Sequence, residues 1–367
     1  MASEMLYPIT PIFLSSVLGA SMAVVGLIEG LAEVTAGFLK GYFGVLSDKL
    51  GKRSIFVVLG YSFSAIAKPL PGIIPNTLMV LFSRTADRIG KGIRTAPRDA
   101  LLASHAGNNT GAVFGFHRGM DTLGAVIGPL LALSMLSFFK LNYQTIFIVA
   151  FFPSLIAVVF TLYVKDKKSE IVLQTRADIV GFWKSSPPQY KILFYMITIF
   201  SLVNSSDVFL ILKSKNISGS DSLAIAGYIF YNIVYAVSSY PVGILSDRFG
   251  KKKVFIIGLL IFSAVYFGFA SLNSLALVWF LFALYGIYAS ATEGVLKAWV
   301  SDLVPDQNRG SAIGLITMSS SIAMMIGSIT AGFLWDKFGS SVPFYISSAT
   351  SLVVAITLFQ FSKKRSQ

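Results

Sequence analysis

Eleven apolar runs, each long enough to cross a lipid bilayer, are the feature that most constrains how this chain can fold. A transmembrane helix needs about 20 mostly apolar residues, because the hydrocarbon core is about 30 Å thick. The runs cover residues 22–46, 54–72, 77–98, 111–136, 144–164, 191–212, 223–245, 254–272, 275–297, 311–334 and 342–361. A shorter twelfth segment at 1–18 is interrupted by Pro8 and Pro11 and lacks the basic start of a signal peptide. The pattern predicts an all-α integral membrane protein.

The composition excludes most other classes of protein. Hydrophobic residues make up 54% of the chain and charged residues only 13%, against about 25% charged residues in soluble proteins. The sequence has no Cys and only two His, so it offers neither a thiolate metal site nor a nucleophile–base pair of an intramembrane enzyme. We therefore expect no enzyme activity, no cofactor and no metal site.

The net charge of +13 is explained by topology. One alternate set of loops holds eighteen cations: Lys49, Lys52, Arg53, Arg98, Lys165, Lys167, Lys168, Arg176, Lys184, Lys191, Arg248, Lys251, Lys252, Lys253, Arg309, Lys363, Lys364 and Arg365. The other set holds four: Lys140, Lys213, Lys215 and Lys337. Because cytoplasmic loops carry the excess of Lys and Arg, the first set and the C-terminus are predicted to be cytoplasmic. A nucleic-acid partner is not needed to explain the charge.

The chain contains an internal repeat. Residues 44–53 read GVLSDKLGKR and residues 243–252 read GILSDRFGKK, at an offset of 199 residues. The same offset relates Gly111 to Gly310 and Gly115 to Gly314. This indicates a duplicated six-helix unit, with both copies in the same orientation. The predicted organisation is an N-terminal bundle (1–164), a cytoplasmic linker (165–190) and a C-terminal bundle (191–367).

The repeated ten-residue pattern resembles the signature loop of the major facilitator superfamily, and the resemblance extends over essentially the whole chain. It implies two six-helix bundles related by a pseudo-two-fold axis and a secondary transporter of the bacterial or archaeal plasma (inner) membrane. The segment RTADRIGKGIRTAPRDALL (84–102) resembles the fourth-helix motif, with Arg84 at its arginine and Asp87 in place of the usual Gln. It is similar to a prokaryotic subgroup with DRIGKGIRTAPRDA. GAVIGP, with Gly124, Gly128 and Pro129, is similar to a motif of the antiporters, without its trailing Gly-Gly.

The repeated loop is predicted to be a cytoplasmic gating motif. Its members are Gly44, Asp48, Gly51, Lys52, Arg53, Gly243, Asp247, Arg248 and Gly250. Small residues allow a helix end to approach its neighbour, and the aspartates can accept hydrogen bonds from a helix N-terminus and meet its dipole. The alternative is an ordinary turn with topogenic cations.

Charged residues inside the predicted spans form a second candidate site, because a charge at the bilayer centre costs about 2.5–3.5 kcal/mol or more. The candidates for a substrate or proton network are Glu4, Glu29, Glu33, Arg84, Asp87, Arg88, Arg118, Asp121, Asp207, Glu293 and Lys297. At about 100° per residue, the charges of run 77–98 share one arc, so they face protein or water, and Glu29 and Glu33 can supply counter-charge. Glu293 and Lys297 have the spacing of an intrahelical pair, while Asp207 has no local partner and suits a proton carrier. Structural salt bridges are the competing interpretation.

The sequence therefore predicts a monomeric secondary transporter that moves a small solute by alternating access. Because no nucleotide-binding loop is found, coupling to a proton or another ion is expected, and efflux by proton antiport is the first hypothesis. Proton-coupled uptake of a small anionic or zwitterionic metabolite is the alternative. A non-transporting membrane sensor or scaffold is the alternative of another class.

The first helix is predicted to be truncated. The segment MASEMLY aligns with VNSSDVF (203–209), which pairs Glu4 with Asp207. The helix containing Asp207 begins near Lys191, sixteen residues earlier, whereas three residues precede Glu4. About 20 Å of helix, at about 1.5 Å per residue, is thus expected to be missing. A start codon assigned too far downstream is the favoured explanation.

Overall fold

The computed structural model describes residues 1–50, 52–106, 110–139, 142–166, 179–272, 274–304 and 309–363. All regular structure in these residues is helical, as the apolar runs predict. The first repeat contains α1 (Ala2–Leu6), α2 (Ile9–Ile12), a π-helical turn (Phe13–Val17), α3 (Met22–Leu50), α4 (Arg53–Ala67), α5 (Leu70–Ile73), α6 (Thr77–Ala106), α7 (Thr110–Ser137), α8 (Tyr143–Val149) and α9 (Phe151–Leu162). A short helix, α10 (Ile179–Ser185), precedes the second repeat. The second repeat contains α11 (Pro188–Ser201), α12 (Val208–Ser218), α13 (Asp221–Phe249), α14 (Lys251–Ser271), α15 (Leu275–Leu303), α16 (Arg309–Phe338) and α17 (Val342–Lys363).

The helix bounds repeat at the offset of the two loop motifs. Adding 199 to the bounds of α3, 22 and 50, gives 221 and 249, which are the bounds of α13. The same addition takes α4–α5, α6, α7 and α8–α9 to within two residues of α14, α15, α16 and α17. The duplication inferred from two short motifs therefore extends from α3 to α9 in the first repeat and from α13 to α17 in the second.

Among the described residues, nine helical segments are long and apolar enough to cross a membrane. The run at 77–98 is not one of them because α6 carries too many charges, although it is 30 residues long. The run at 191–212 differs from the prediction, since α11 ends at Ser201 and α12 begins at Val208. The polar residues Asn204 to Asp207 lie at this break. Segment 1–18 is similarly divided into α1, α2 and the π-helical turn.

The described chain forms two compact units. The first contains residues 1–20 and 31–175, and the second contains residues 21–30 and 176–367. The beginning of α3 therefore packs with the second unit, which the sequence does not predict. The predicted linker, 165–190, stays a prediction, because its residues 167–178 lie outside the described residues.

Close backbone contact between α4 and α6 organises the first unit. A Cβ atom on Gly90 would lie 2.5 Å from the carbonyl oxygen of Gly60, and one on Gly60 would lie 2.6 Å from that of Gly90. Only glycine permits this approach, as is common where membrane helices pack closely. The contact brings the polar side chains of α4 against the charged face of α6.

Candidate functional site

A buried ion pair joins α4 to α6 in the first unit. The Lys68 Nζ lies 2.8 Å from the Asp87 Oδ1, and both side chains are less than 10% exposed. The Ser64 hydroxyl donates a hydrogen bond to the same carboxylate oxygen, and the Lys68 ammonium also donates to the Ser64 carbonyl oxygen at 3.1 Å. Asp87 was predicted as a site residue, but Lys68 and Ser64 were not. Pro69 and Pro71 follow Lys68 and place it at a helix end. Because of this position, the sequence did not indicate that Lys68 pairs with Asp87.

Arg94, about two turns beyond Asp87 on α6, continues this polar cluster. Its Nη1 donates to the Ser64 hydroxyl oxygen at 2.9 Å and to the Gly60 carbonyl oxygen at 3.3 Å. Its guanidinium also lies 4.4 Å from the centroid of the Tyr61 ring. Arg94 is therefore held by hydrogen bonds and a cation–π contact.

Arg84 and Arg88 are both buried, as the charged face of α6 predicts. The Arg84 guanidinium lies 5.3 Å from the centroid of the Tyr7 ring. Among the described residues, the Nε of Arg88 is buried and has no hydrogen-bond partner. A buried guanidinium nitrogen without an acceptor is costly, so Arg88 differs from the other buried cations of this unit. Lys91, one turn further, is exposed.

The predicted acids of the first repeat lie at different depths. Glu29 is buried in α3, where it belongs to the second unit, while Glu33 on the same helix is exposed and belongs to the first. Glu4 is half-buried in α1. Glu4 and Glu33 thus lie in the same unit as the charged face of α6, and Glu29 does not.

A small cavity lies beside the buried pair. Its lining includes Lys68, Asp87, Arg84, Ser83 and Ser3. The cavity has a volume of about 20 Å³, which is enough for roughly one water molecule. Because several charged and hydroxyl groups converge there, a water in this cavity would have the polar partners that it needs.

In the second unit, tyrosines hold the predicted acid Asp207. The Tyr285 hydroxyl donates to the Asp207 Oδ1 at 2.6 Å, and the Tyr231 hydroxyl donates to the Oδ2 at 3.4 Å. The rings of Tyr231 and Tyr285 are 5.0 Å apart, and Tyr288 lies 5.1 Å from Tyr285. The sequence showed no partner for Asp207 because these hydroxyls come from α13 and α15, which are far away along the chain.

Glu293 also interacts with a tyrosine. The Tyr235 hydroxyl donates to the Glu293 Oε2 at 2.8 Å. Glu293 and Lys297 are both exposed on α15. Their pairing at a spacing of four residues stays a prediction.

The second copy of the loop motif is an exposed turn between α13 and α14. Gly250 has φ +97°, a left-handed conformation that glycine adopts without strain. The Lys251 Nζ lies 2.6 Å from a carboxylate oxygen of Asp302 and 4.0 Å from one of Asp247. Lys251 therefore connects this loop to the end of α15, and Arg248 and Asp247 are exposed.

The first copy of the motif is described only in part. Gly51, the surroundings of Gly44 and the side chain of Asp48 lie outside what the structure describes, and Lys52 is exposed. The acid at the following helix N-terminus is Asp166, whose Oδ1 accepts hydrogen bonds from the backbone N–H groups of Arg53 and Ser54, both at 2.9 Å. An aspartate does bind a helix N-terminus here, but it is not one that the motif predicted.

The GAVIGP motif forms a close helix contact. A Cβ on Gly128 would lie 2.6 Å from the carbonyl oxygen of Met1, and one on Gly124 would lie 2.8 Å from its nitrogen. Gly124 and Gly128 therefore allow α1 to pack directly on α7, and Pro129 lies within α7. One turn before Gly124, Asp121 lies 3.3 Å from the His117 Nδ1. The side chain of Arg118 lies outside the described residues.

Comparisons with known proteins identify the family. The sequence profile of the Major Facilitator Superfamily matches residues 1–231 and 208–367. An uncharacterized MFS-type transporter of Methanocaldococcus jannaschii is 36% identical, over 98% of this chain and 90% of the relative. Multidrug resistance protein 2 of Bacillus subtilis is 32% identical, over 40% of this chain and 36% of the relative. The chain is a helical membrane protein of the transporter class, and it belongs to the Major Facilitator Superfamily.

Solved structures show the same fold. A nucleoside transporter, NupG in its D323A form, aligns with a TM-score of 0.84 and 15% identity over 98% of this chain and 96% of its own. A D-xylose-proton symporter aligns with a TM-score of 0.76 and 16% identity over 98% and 95% of the two chains. These likenesses confirm the expected fold, two six-helix bundles.

Proposed function

We propose that this protein exports a small solute across the plasma membrane of a bacterium or archaeon by proton antiport, as a monomer with a cytoplasmic C-terminus. The buried pair of Lys68 and Asp87 is the observation that carries this proposal. The charged carboxylate is stabilised by the ammonium and the Ser64 hydroxyl. Because these contacts favour the charged carboxylate, Asp87 binds a proton readily only in a state in which Lys68 has moved away. Proton binding is therefore linked to the contact between α4 and α6.

Two further observations support export. GAVIGP is similar to the motif of antiporters, and its two glycines form the contact between α1 and α7. A relative of part of this chain is named a multidrug resistance protein. We extend that relative's activity to this chain only as a hypothesis.

Proteoliposomes with an imposed pH gradient test the proposal. A luminal pH indicator would be followed on addition of each member of a panel: ethidium, uridine, D-xylose, glycine and benzoate. We expect that the movement of at least one solute across the membrane drives protons in the opposite direction. Asp87→Asn should abolish this coupling. Asp99→Asn is the matched control, because Asp99 lies on the same helix in a partly exposed pair with Arg98.

Three results would contradict antiport. Coupled proton flux that survives in Asp87→Asn would remove Asp87 from the mechanism. Solute and proton moving in the same direction would indicate symport. A panel that neither moves nor changes the melting temperature would favour the third hypothesis, a non-transporting sensor or scaffold.

Arg88 favours a second candidate function, proton-coupled uptake of a small anionic or zwitterionic metabolite. Its buried Nε has no acceptor within the described part of the chain, and an oxyanion would supply one. In contrast, Lys68, Arg84 and Arg94 each have a partner. If this function is correct, benzoate or glycine should be the active solute, and Arg88→Gln should abolish its transport while Arg98→Gln should not. Activity with ethidium alone would exclude it.

A further inference from the structure

The N-terminus of α3 is held by a carboxylate from the last turn of α16. The backbone N–H of Met22 donates to the Asp336 Oδ1 at 2.9 Å, and that of Ala23 donates to the Oδ2 at 2.7 Å. Both carboxylate oxygens are thus used, one for each of two consecutive amides. These residues lie together in the second unit.

The remaining amides at this helix start are satisfied locally. The Val24 N–H donates to the Ser21 hydroxyl oxygen at 3.3 Å, and the Val25 N–H donates to the Ser21 carbonyl oxygen at 3.1 Å. A helix leaves its first amides without partners inside the helix. Ser21 accepts hydrogen bonds from two of these amides, and Asp336 accepts hydrogen bonds from the two that Ser21 does not reach.

Asp336 is in an unfavourable place for its own helix. It lies two residues before the end of α16 at Phe338, where the helix dipole disfavours negative charge. At the start of α3 the dipole favours the same charge. The carboxylate therefore stabilises α3 and the contact with it more than it stabilises α16.

Small residues allow the two helices to fit closely beside this carboxylate. A Cβ on Gly332 would lie 2.2 Å from the Met22 carbonyl oxygen, and a Cβ on Gly26 would lie 2.2 Å from the Ser328 carbonyl oxygen. Because backbone meets backbone on both helices, the contact has one defined geometry. Asp336 itself is exposed, so water can replace its hydrogen bonds when the helices separate.

We propose that Asp336 and the N-terminal end of α3 form a releasable clamp in the transport cycle. Asp48, in the predicted gating loop, lies 26 residues further along α3, or about 39 Å at about 1.5 Å per residue. The clamp therefore lies at the opposite end of the helix from the predicted gate. Alternating access requires the contacts on the two sides to open in turn, and the clamp holds one of the two closed states. The inference goes beyond the proposed function, because it depends on neither the coupling ion nor the solute.

Distance measurements between two spin labels test the clamp. The chain has no Cys, so Leu27→Cys and Phe333→Cys, both at exposed positions, introduce the only reactive thiols. In the full-length labelled protein we expect a dominant short distance. Asp336→Asn should shift the ratio of separated to closed molecules by about fivefold, since it removes a charge–dipole contact.

The matched control is Asp166→Asn, which removes the charge of a similar capping carboxylate at the start of α4 in the first unit. It should lower stability without changing the distance between labels 27 and 333. Gly332→Ala is a second test, since it pushes the helices apart without a change in charge. The proposal is overturned if Asp336→Asn leaves the distances unchanged or if Asp166→Asn changes them equally. If Asp336→Asn does not fold, an unchanged distribution in Gly332→Ala overturns it.

Discussion

The equivalent helices of the two repeats, α6 and α15, carry different side chains: α6 has three arginines where α15 has two apolar residues and an acid. Adding 199 takes Arg84 to Ala283, Arg88 to Ile287 and Arg94 to Glu293. In the first unit the Lys68 ammonium forms an ion pair with the buried Asp87. In the second unit two tyrosine hydroxyls donate hydrogen bonds to Asp207. The helix bounds are nearly the same, so the duplicated apolar pattern specifies the frame, and substitutions on that frame specify the site.

The two kinds of partner predict different responses to mutation. Removing one member of a buried ion pair leaves an uncompensated charge and costs about 3–5 kcal/mol. Removing a hydroxyl that donates to a carboxylate costs about 1.5–3 kcal/mol, the range for hydrogen bonds to charged groups. Stability should therefore respond more strongly to changes in the first unit.

The largest effect is expected for Lys68→Met. It leaves the Asp87 carboxylate buried without its cation, and the free energy of unfolding should fall by about 3–5 kcal/mol. The double variant Lys68→Met/Asp87→Leu should recover much of that loss, since it removes both charges. Chemical unfolding of the purified protein in detergent measures both. A single variant as stable as the double would show that the pair does not stabilise the fold.

A smaller effect is expected for Tyr285→Phe, which removes the shorter hydrogen bond to Asp207. The loss of stability should be about 1.5–3 kcal/mol. Tyr231→Phe is the matched comparison. The Tyr231 hydroxyl lies 3.4 Å from the Asp207 carboxylate, whereas the Tyr285 hydroxyl lies 2.6 Å from it. Tyr231→Phe should cost less than Tyr285→Phe. Because both substitutions keep the ring, equal losses would show that the effect does not follow the length of the hydrogen bond to Asp207.

The sequence predicted the frame well because apolar length and a repeated motif are local signals. It also predicted Asp87, Arg88 and Asp207 as site residues, since charge inside an apolar run is conspicuous, and their role stays a prediction. It did not identify their partners. Lys68 and Tyr285 lie on other helices, and their contacts depend on how glycines such as Gly60 and Gly90 let helices approach. The clamp by Asp336 was missed for the same reason, because 313 residues separate it from Ala23.

The loops that begin α4 and α14 extend the comparison to the ends of the helices. Asp166 caps α4, whereas α14 starts at Lys251, and Gly250 before it provides no side-chain cap. Asp166→Ala should therefore lower the free energy of unfolding by about 1 kcal/mol, as for the loss of other N-terminal caps. Thermal unfolding measures this, and Asp221→Asn, at a different exposed ion pair, provides the comparison. A loss no greater than in that variant would show that the cap contributes little.

The smallest effect on stability is expected for Asp247→Asn. Its side chain is 76% exposed, and Lys251 is 4.0 Å away and has Asp302 at 2.6 Å. Exposed pairs of this kind contribute about 0–1 kcal/mol, so the melting temperature should hardly change. The gating prediction nevertheless expects slower transport, because the charge would act in a contact that forms at another stage of the transport cycle. Flux and melting temperature measured on the same preparation separate the two effects, with Asp302→Asn as the control that disrupts the Lys251 contact. Full transport by Asp247→Asn would show that the second copy of the motif is only a turn between α13 and α14.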